Sequence, residues 1–307
     1  MKTKGNIFLF YFIFSGLLLL QTCAWAELEN KKVLVDGTSL HYIREGNGVP
    51  VVMIHGTYSS LNIYKLSIFD DVAKHYETTA FDLPGYGESG RPKLKMTYDD
   101  RVEMIHAAIK KLGIEKPILV GHSSGGAFSL CYALKYPDEV RALALISPYT
   151  EPYEKADTIY RTTTTPVIGD LFFYLILKPV QLLRSNWKFA KPGFSPNPVN
   201  REYATKEVGL ALRRKTFRAN ANDVETLGPA LVEMENHYGE IKVPVVIITG
   251  EEDPISVFKT NGEILHKKIT QSQLILLPQT GHNPLFIKTK EVLDAIDTAA
   301  QAANSKS

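Results

Sequence analysis

The chain has 307 residues, 44% of them hydrophobic and 22% charged, the balance of a globular protein with one large domain or a domain plus an insertion. A formal charge of +2 excludes the basic excess that marks a nucleic-acid partner, and two cysteines, Cys23 and Cys131, exclude a disulfide framework. There is no internal repeat and no low-complexity tract.

Lys2 and Lys4 precede an apolar run from Ile7 to Leu20, and Ala24-Trp25-Ala26 supplies the small-x-small pattern of a signal-peptidase site. Residues 1–26 are therefore expected to be a signal peptide cleaved after Ala26, with export to the periplasm or the medium. Two other readings share these residues. An uncleaved anchor needs roughly 18 or more apolar residues, and this run is broken at Ser15-Gly16. Leu20-Gln21-Thr22-Cys23 resembles a lipoprotein box, with Thr22 in place of the usual smaller residue, and would put a lipid on Cys23. Cleavage after Ala26 removes two of the 35 basic residues and none of the 33 acidic ones, so the exported chain is formally neutral. It leaves Cys131 alone, as a small buried hydrophobe.

Lys32 to Ile43 reads as two antiparallel strands joined at Asp36-Gly37. Val51-Val52-Met53-Ile54 suits a strand buried on both faces and runs into His55-Gly56-Thr57-Tyr58. Leu66, Phe69, Val72 and Ala73 have the spacing of a helix over 64–76. Thr78 to Phe81 is a strand, ended by Asp82-Leu83-Pro84-Gly85-Tyr86-Gly87-Glu88-Ser89. Thr97 and Asp100 form a capping pair for a helix with Val102, Ile105, Ile109 and Leu112 on one face and Gly113 beyond its end. Ile118-Leu119-Val120 leads into Gly121-His122-Ser123-Ser124-Gly125-Gly126, followed by a helix from Ala127 to Tyr136 that stops at Pro137. Ala142 to Ile146 is again a strand. This alternation implies an α/β fold with a mainly parallel sheet.

From Ser147 to Ile241 the strand signals cease, and a largely helical cap over 148–241 is expected, lying over the carboxyl ends of the strands. Within it Thr165 to Pro179 is apolar nearly all round and needs cover, from packing or from an apolar ligand. The sheet resumes at Pro244 to Thr249. A helix over 256–269, a strand from Gln273 to Leu277 and a closing helix from Pro284 to about Ala302 complete the core, 27–147 and 242–307.

Gly-x-Ser-x-Gly between a strand and a helix needs small residues so that a sharp turn can lift the serine hydroxyl. A frame centred on Ser124 would need glycine where His122 stands, so Ser123 is the candidate nucleophile. A serine hydroxyl needs a base, usually a histidine held by a carboxylate. Gly250-Glu251-Glu252-Asp253-Pro254 and Thr280-Gly281-His282-Asn283-Pro284 each follow a strand directly, which selects Asp253 and His282. Asp253 could instead serve only as a helix cap before Pro254, with Glu251 or Glu252 as the acid. His41, His75, His106, His237 and His266 sit within strands or helices as packing or surface residues, and His122 reads as structural. No histidine pair has metal-site spacing, and no cofactor is expected. The oxyanion donors of acyl transfer are expected from Ser124 and from Thr57 or Tyr58, with Thr57 preferred.

With these motifs in this order, from about Lys32 to Ala300, the chain resembles the α/β-hydrolase superfamily. The resemblance implies an eight-stranded, mainly parallel sheet flanked by helices, with a helical cap that commonly walls the substrate pocket. It implies a serine hydrolase of the esterase or lipase kind, acting on a small-molecule ester with an acyl chain or aromatic group. Lipid or membrane-surface contact through the cap belongs to the same expectation. Serine at position 123 argues against dehalogenase and epoxide hydrolase chemistry, which use aspartate there. A carbon–carbon bond hydrolase, a cofactor-free perhydrolase and a slow-turnover binding protein stay open.

Overall fold

The computed structural model describes residues 31–305 apart from 94, 154–157, 166, 180–185, 212 and 258. The expected signal peptide 1–26, its cleavage after Ala26 and the lipid alternative at Cys23 lie outside the described residues. Eight strands form one sheet: β1 (Lys31–Val35), β2 (Thr38–Glu45), β3 (Pro50–Ile54), β4 (Glu77–Phe81), β5 (Ile118–His122), β6 (Ala142–Ile146), β7 (Val245–Gly250) and β8 (Gln273–Leu277). Their order is β1-β2-β4-β3-β5-β6-β7-β8. β1 and β2 enter antiparallel, joined by Asp36 and Gly37 at positive φ, and β3 to β8 are parallel.

The two-residue period of a strand sends neighbouring side chains to opposite faces, and here both faces are apolar. Val52, Ile54, Leu119, Leu143, Leu145 and Ile247 share one cluster, while Val51, Met53, Ile118, Val120, Ala144 and Ile248 share the other. Two short helices, α1 (Asn62–Lys65) and α2 (Phe69–Val72), add to the second cluster, and α3 (Tyr98–Lys111) and α4 (Ser124–Lys135) cover the first. The Thr97–Asp100 capping box of α3 forms as expected.

Between β6 and β7 lie α5 (Thr158–Thr164), α6 (Ile168–Phe172), a π-helical turn (Phe173–Leu177), α7 (Asn186–Phe194), α8 (Arg201–Ala211) and α9 (Arg214–Met234), with no strand among the described residues. The chain ends with α10 (Gly262–Lys268), α11 (Pro284–Ile287) and α12 (Thr289–Asn304), whose Val292, Ala295, Ile296 and Ala299 close the second cluster.

Four elements depart from expectation. The helix over 64–76 is broken into α1 and α2 where the Ser67 hydroxyl donates back to Ile63 O at 2.5 Å, satisfying a carbonyl locally. The helix expected from 256 begins only at Gly262. Before it, Asn261 turns its Oδ1 to the Thr150 and Glu151 N–H groups at 2.6 and 2.8 Å and so ties the loop to the start of the insertion. The closing helix is interrupted at Lys288, φ −128°. The apolar stretch from Thr165 is not one covered helix. Phe173 is buried, but Val167, Ile168, Leu171, Tyr174, Leu175 and Ile176 are exposed, Leu175 by 66% and Val167 by 78%.

The insertion is fastened to the core through a buried polar run on α9. Asp223 pairs with Arg101 at 2.9 Å and accepts the Tyr86 hydroxyl at 2.8 Å. Asn222 Oδ1 accepts the Met96 N–H at 2.8 Å and the Arg91 guanidinium.

Candidate active site

Ser123 stands between β5 and α4 at φ 56°, ψ −126°, a left-handed backbone that a non-glycine residue adopts only under strain. The turn is held by the Ser123 N–H on Ile146 O at 3.0 Å and by the Gly126 N–H on Ser123 O at 2.8 Å. Ser123 is 8% exposed. Opposite it, a Cβ on Gly56 would stand 2.8 Å from Ser123 Cβ, so only glycine lets the loop after β3 approach the serine this closely.

The loops after β7 and β8 bring the two other predicted residues together. His282 Nδ1–H donates to Asp253 Oδ2 at 2.7 Å, and both residues are buried. Asp253 Oδ1 accepts the Ile255 and Ser256 N–H groups at 2.8 and 2.9 Å. The capping role thus belongs to one oxygen and the histidine to the other, while Glu251 and Glu252 are exposed. The loops close because Gly250 has no side chain: a Cβ there would lie 2.1 Å from Thr280 O.

His122 is what links the serine turn to this pair. Its Nε2–H donates to His282 O at 2.9 Å, and the two rings lie 4.9 Å apart. Burial, and then the neighbouring His282, push the His122 pKa down to about 3, so it remains a neutral donor and a structural element. No direct hydrogen bond between Ser123 and His282 is seen among the described residues. Such contacts often tighten only when substrate binds.

The two residues expected to bind an oxyanion also meet, through an atom that the motif does not reveal. Ser124 opens α4, so its N–H is one of the helix's first donors, which have no acceptor within the helix. Its hydroxyl accepts the Thr57 N–H at 2.9 Å. A substrate oxygen placed here would share or displace that hydroxyl. The next residue, Tyr58, sits at φ 57° and gives its N–H to Asn220 of α9.

The Asp82–Ser89 segment is structural. Asp82 accepts the Leu61 and Glu88 N–H groups at 2.9 and 2.8 Å and pairs with His41 Nδ1 at 2.7 Å. His55 donates through Nδ1–H to Gly56 O at 2.7 Å and accepts the Leu83 N–H at Nε2, 3.0 Å, while burial holds its pKa down.

Glu207 is an acid that sequence reading passes over, because a glutamate on an amphipathic helix ordinarily faces water. It is 1% exposed, accepts the Ser60 hydroxyl at 2.8 Å through Oε2, and leaves Oε1 without a partner among the described residues. Burial drives its pKa from 4.5 up to about 7. Between those values the folded chain holds a proton that the unfolded chain has released, so stability falls as pH rises through the window. Glu207→Gln is expected to remove this slope and to gain, relative to wild type, on the order of 3 kcal/mol between pH 4 and pH 8. Urea titrations at the two pH values measure it; an equal offset at both would contradict the shift.

Residues 49–289 match the family described as alpha/beta hydrolase fold, and the chain belongs to that family. Among its relatives is the AB hydrolase superfamily protein YisY of Bacillus subtilis (strain 168), 26% identical over 271 residues that span 85% of this chain and 93% of the other. Lipase 1 of Psychrobacter immobilis is 27% identical over 286 residues, 88% of this chain and 83% of its own. In fold the chain is similar to the meta-cleavage product hydrolase CumD of Pseudomonas fluorescens IP01, with a TM-score of 0.66 at 20% identity over 89% of this chain and 98% of that one.

Proposed function

We propose that the protein is an exported serine hydrolase that cleaves carboxylic esters bearing a hydrophobic acyl or aromatic group. The observation that carries this reading is the buried Asp253–His282 bond at 2.7 Å beside a serine held in a strained turn. Ser123 Oγ attacks the ester carbonyl while His282 Nε2 takes its proton, and Asp253 holds the imidazole in the required tautomer and stabilises the cation that forms. The carbonyl oxygen becomes an oxyanion facing the Ser124 and Thr57 N–H groups. Collapse expels the alcohol, which receives the proton from His282 and leaves an acyl group on Ser123. Water, activated by the same histidine, then releases the acid.

The relationship to Lipase 1 supports ester chemistry, and the residues around Ile7–Leu20 support export. The exposed side chains from Val167 to Ile176 form an apolar patch on the helical cap suited to lipid contact. A fluorophosphonate probe is expected to label Ser123. Rates on nitrophenyl esters are expected to rise from acetate towards longer chains and again when the ester forms micelles. An unlabelled protein would exclude an activated serine. A labelled one idle on all esters would favour carbon–carbon cleavage, and an optimum at acetate would remove the hydrophobic acyl group.

A further inference from the structure

The loop that carries the Thr57 N–H is held from two sides: the Ser124 hydroxyl of the core accepts the Thr57 N–H, and the insertion holds the next residue. Tyr58 adopts φ 57°, a conformation that a residue with a bulky side chain avoids, so something outside the loop must hold it. Its N–H donates to Asn220 Oδ1 at 2.5 Å, and its ring meets Phe217 of the same helix edge-on, with ring centres 6.5 Å apart. Asn220 is wholly buried, and its Nδ2 has no partner among the described residues. An apolar side chain would avoid that desolvation, so the side chain is kept for its oxygen. Two and three residues on, Asn222 and Asp223 fasten α9 to Met96, Arg91, Arg101 and Tyr86, which fixes the helix from which Asn220 reaches.

We propose that Asn220 is a positioning residue for the oxyanion hole: by accepting the Tyr58 N–H it locks the loop in the left-handed turn that aims the neighbouring Thr57 N–H at the reacting carbonyl. The insertion is then part of the catalytic machinery. The inference rests on the proposed serine chemistry. Loss of the acceptor lets Tyr58 relax towards ordinary backbone angles, and the 57–58 peptide as it swings turns Thr57 and with it the preceding 56–57 peptide that carries the Thr57 N–H. Ground-state binding of the acyl group, which needs no oxyanion donor, is left in place.

The experiment compares kcat, KM and melting temperature on one nitrophenyl ester for wild type, Asn220→Ala, Asn220→Asp and Tyr76→Phe. It adds inhibition by a trifluoromethyl ketone, which forms a tetrahedral oxyanion. Asn220→Ala is expected to lower kcat by about 10- to 100-fold with KM within about threefold, and to weaken the ketone by a similar factor. Asn220→Asp keeps the shape and the acceptor oxygen and is expected to recover most of kcat. Tyr76→Phe, just before β4 at the amino ends of the parallel strands, loses the hydroxyl's 2.7 Å bond to Asp297 of α12 and is expected to lower the melting temperature while leaving kcat within about twofold. Should Asn220→Ala fail to fold, Asn220→Ser takes its place, and the order Asn220→Asp above Asn220→Ser in kcat is required. An unchanged kcat in a folded Asn220→Ala or Asn220→Ser variant overturns the inference. So does a loss that merely follows melting temperature across the set. A wild type that neither labels with fluorophosphonate nor turns over any ester overturns the serine chemistry itself, and this inference with it.

Discussion

Ser123→Ala is expected to lower kcat/KM on the best ester by at least about 10⁴-fold and to abolish labelling by fluorophosphonate, with the melting temperature unchanged or raised. The chemical part follows from the missing oxygen: His282 and Asp253 keep their 2.7 Å bond and have no nucleophile to serve. The stability part follows from the surroundings. Gly56 leaves a Cβ-sized approach to Ser123, and alanine keeps the Cβ while removing only a small hydroxyl. Asp253→Asn is the companion test. Its amide can still accept from the 255 and 256 N–H groups, so the turn should persist. The other side-chain atom can no longer hold the Nδ1–H tautomer as a carboxylate does, and a loss of about 10³- to 10⁴-fold is expected. Full activity in Ser123→Ala would sink the covalent route. Full activity in Asp253→Asn, with Glu251→Gln or Glu252→Gln inactive, would reassign the acid.

The positions of Ser123, Asp253 and His282 are legible in the sequence because each follows a short apolar strand, and a parallel sheet collects the carboxyl ends of its strands along one edge. β5, β7 and β8 therefore deliver the three residues to one rim with no knowledge of the loops. The central strands β3, β5, β6 and β7 are legible because both faces of the sheet are covered there, which makes each a nearly continuous apolar run. What is not legible depends on contacts between segments far apart in the chain. Asn220 lies 162 residues from the Tyr58 N–H that it accepts, and Glu207 lies 147 residues from Ser60. Nothing in the local pattern of either helix marks its polar residue as buried. In α9 the five consecutive residues Ala219–Asp223 turn once round the helix and are all buried, a placement that the three polar residues among them do not announce. The bare patch from Val167 to Ile176 is illegible for the opposite reason, since an apolar sequence ordinarily announces a core.

Gly125→Ala is expected to damage both the packing of the sheet and the site through a single added methyl group. The new Cβ would lie 2.1 Å from Ile54 O and 2.8 Å from His55 O, both backbone atoms at the end of β3, so no side-chain rotation can relieve the overlap. Either α4 moves off the sheet or β3 is pushed away from β5, its hydrogen-bonded neighbour. Movement of α4 disturbs Ala127, Leu130 and Cys131, which fill the cluster on that face, and overpacking a core against rigid backbone costs roughly 3 kcal/mol or more. It also displaces the Ser124 N–H and hydroxyl relative to Thr57, whose contact is now 2.9 Å. The variant should therefore lose both its urea midpoint and its turnover, unlike Ser123→Ala, which loses turnover alone. Gly113→Ala is the control: that glycine, unlike Gly125, sits at positive φ, but no atom lies within 4 Å of a Cβ there, so it should show only the smaller penalty of a strained backbone. A Gly125→Ala protein with wild-type midpoint and kcat would mean that the sheet and α4 are not packed at the separation on which the serine turn depends.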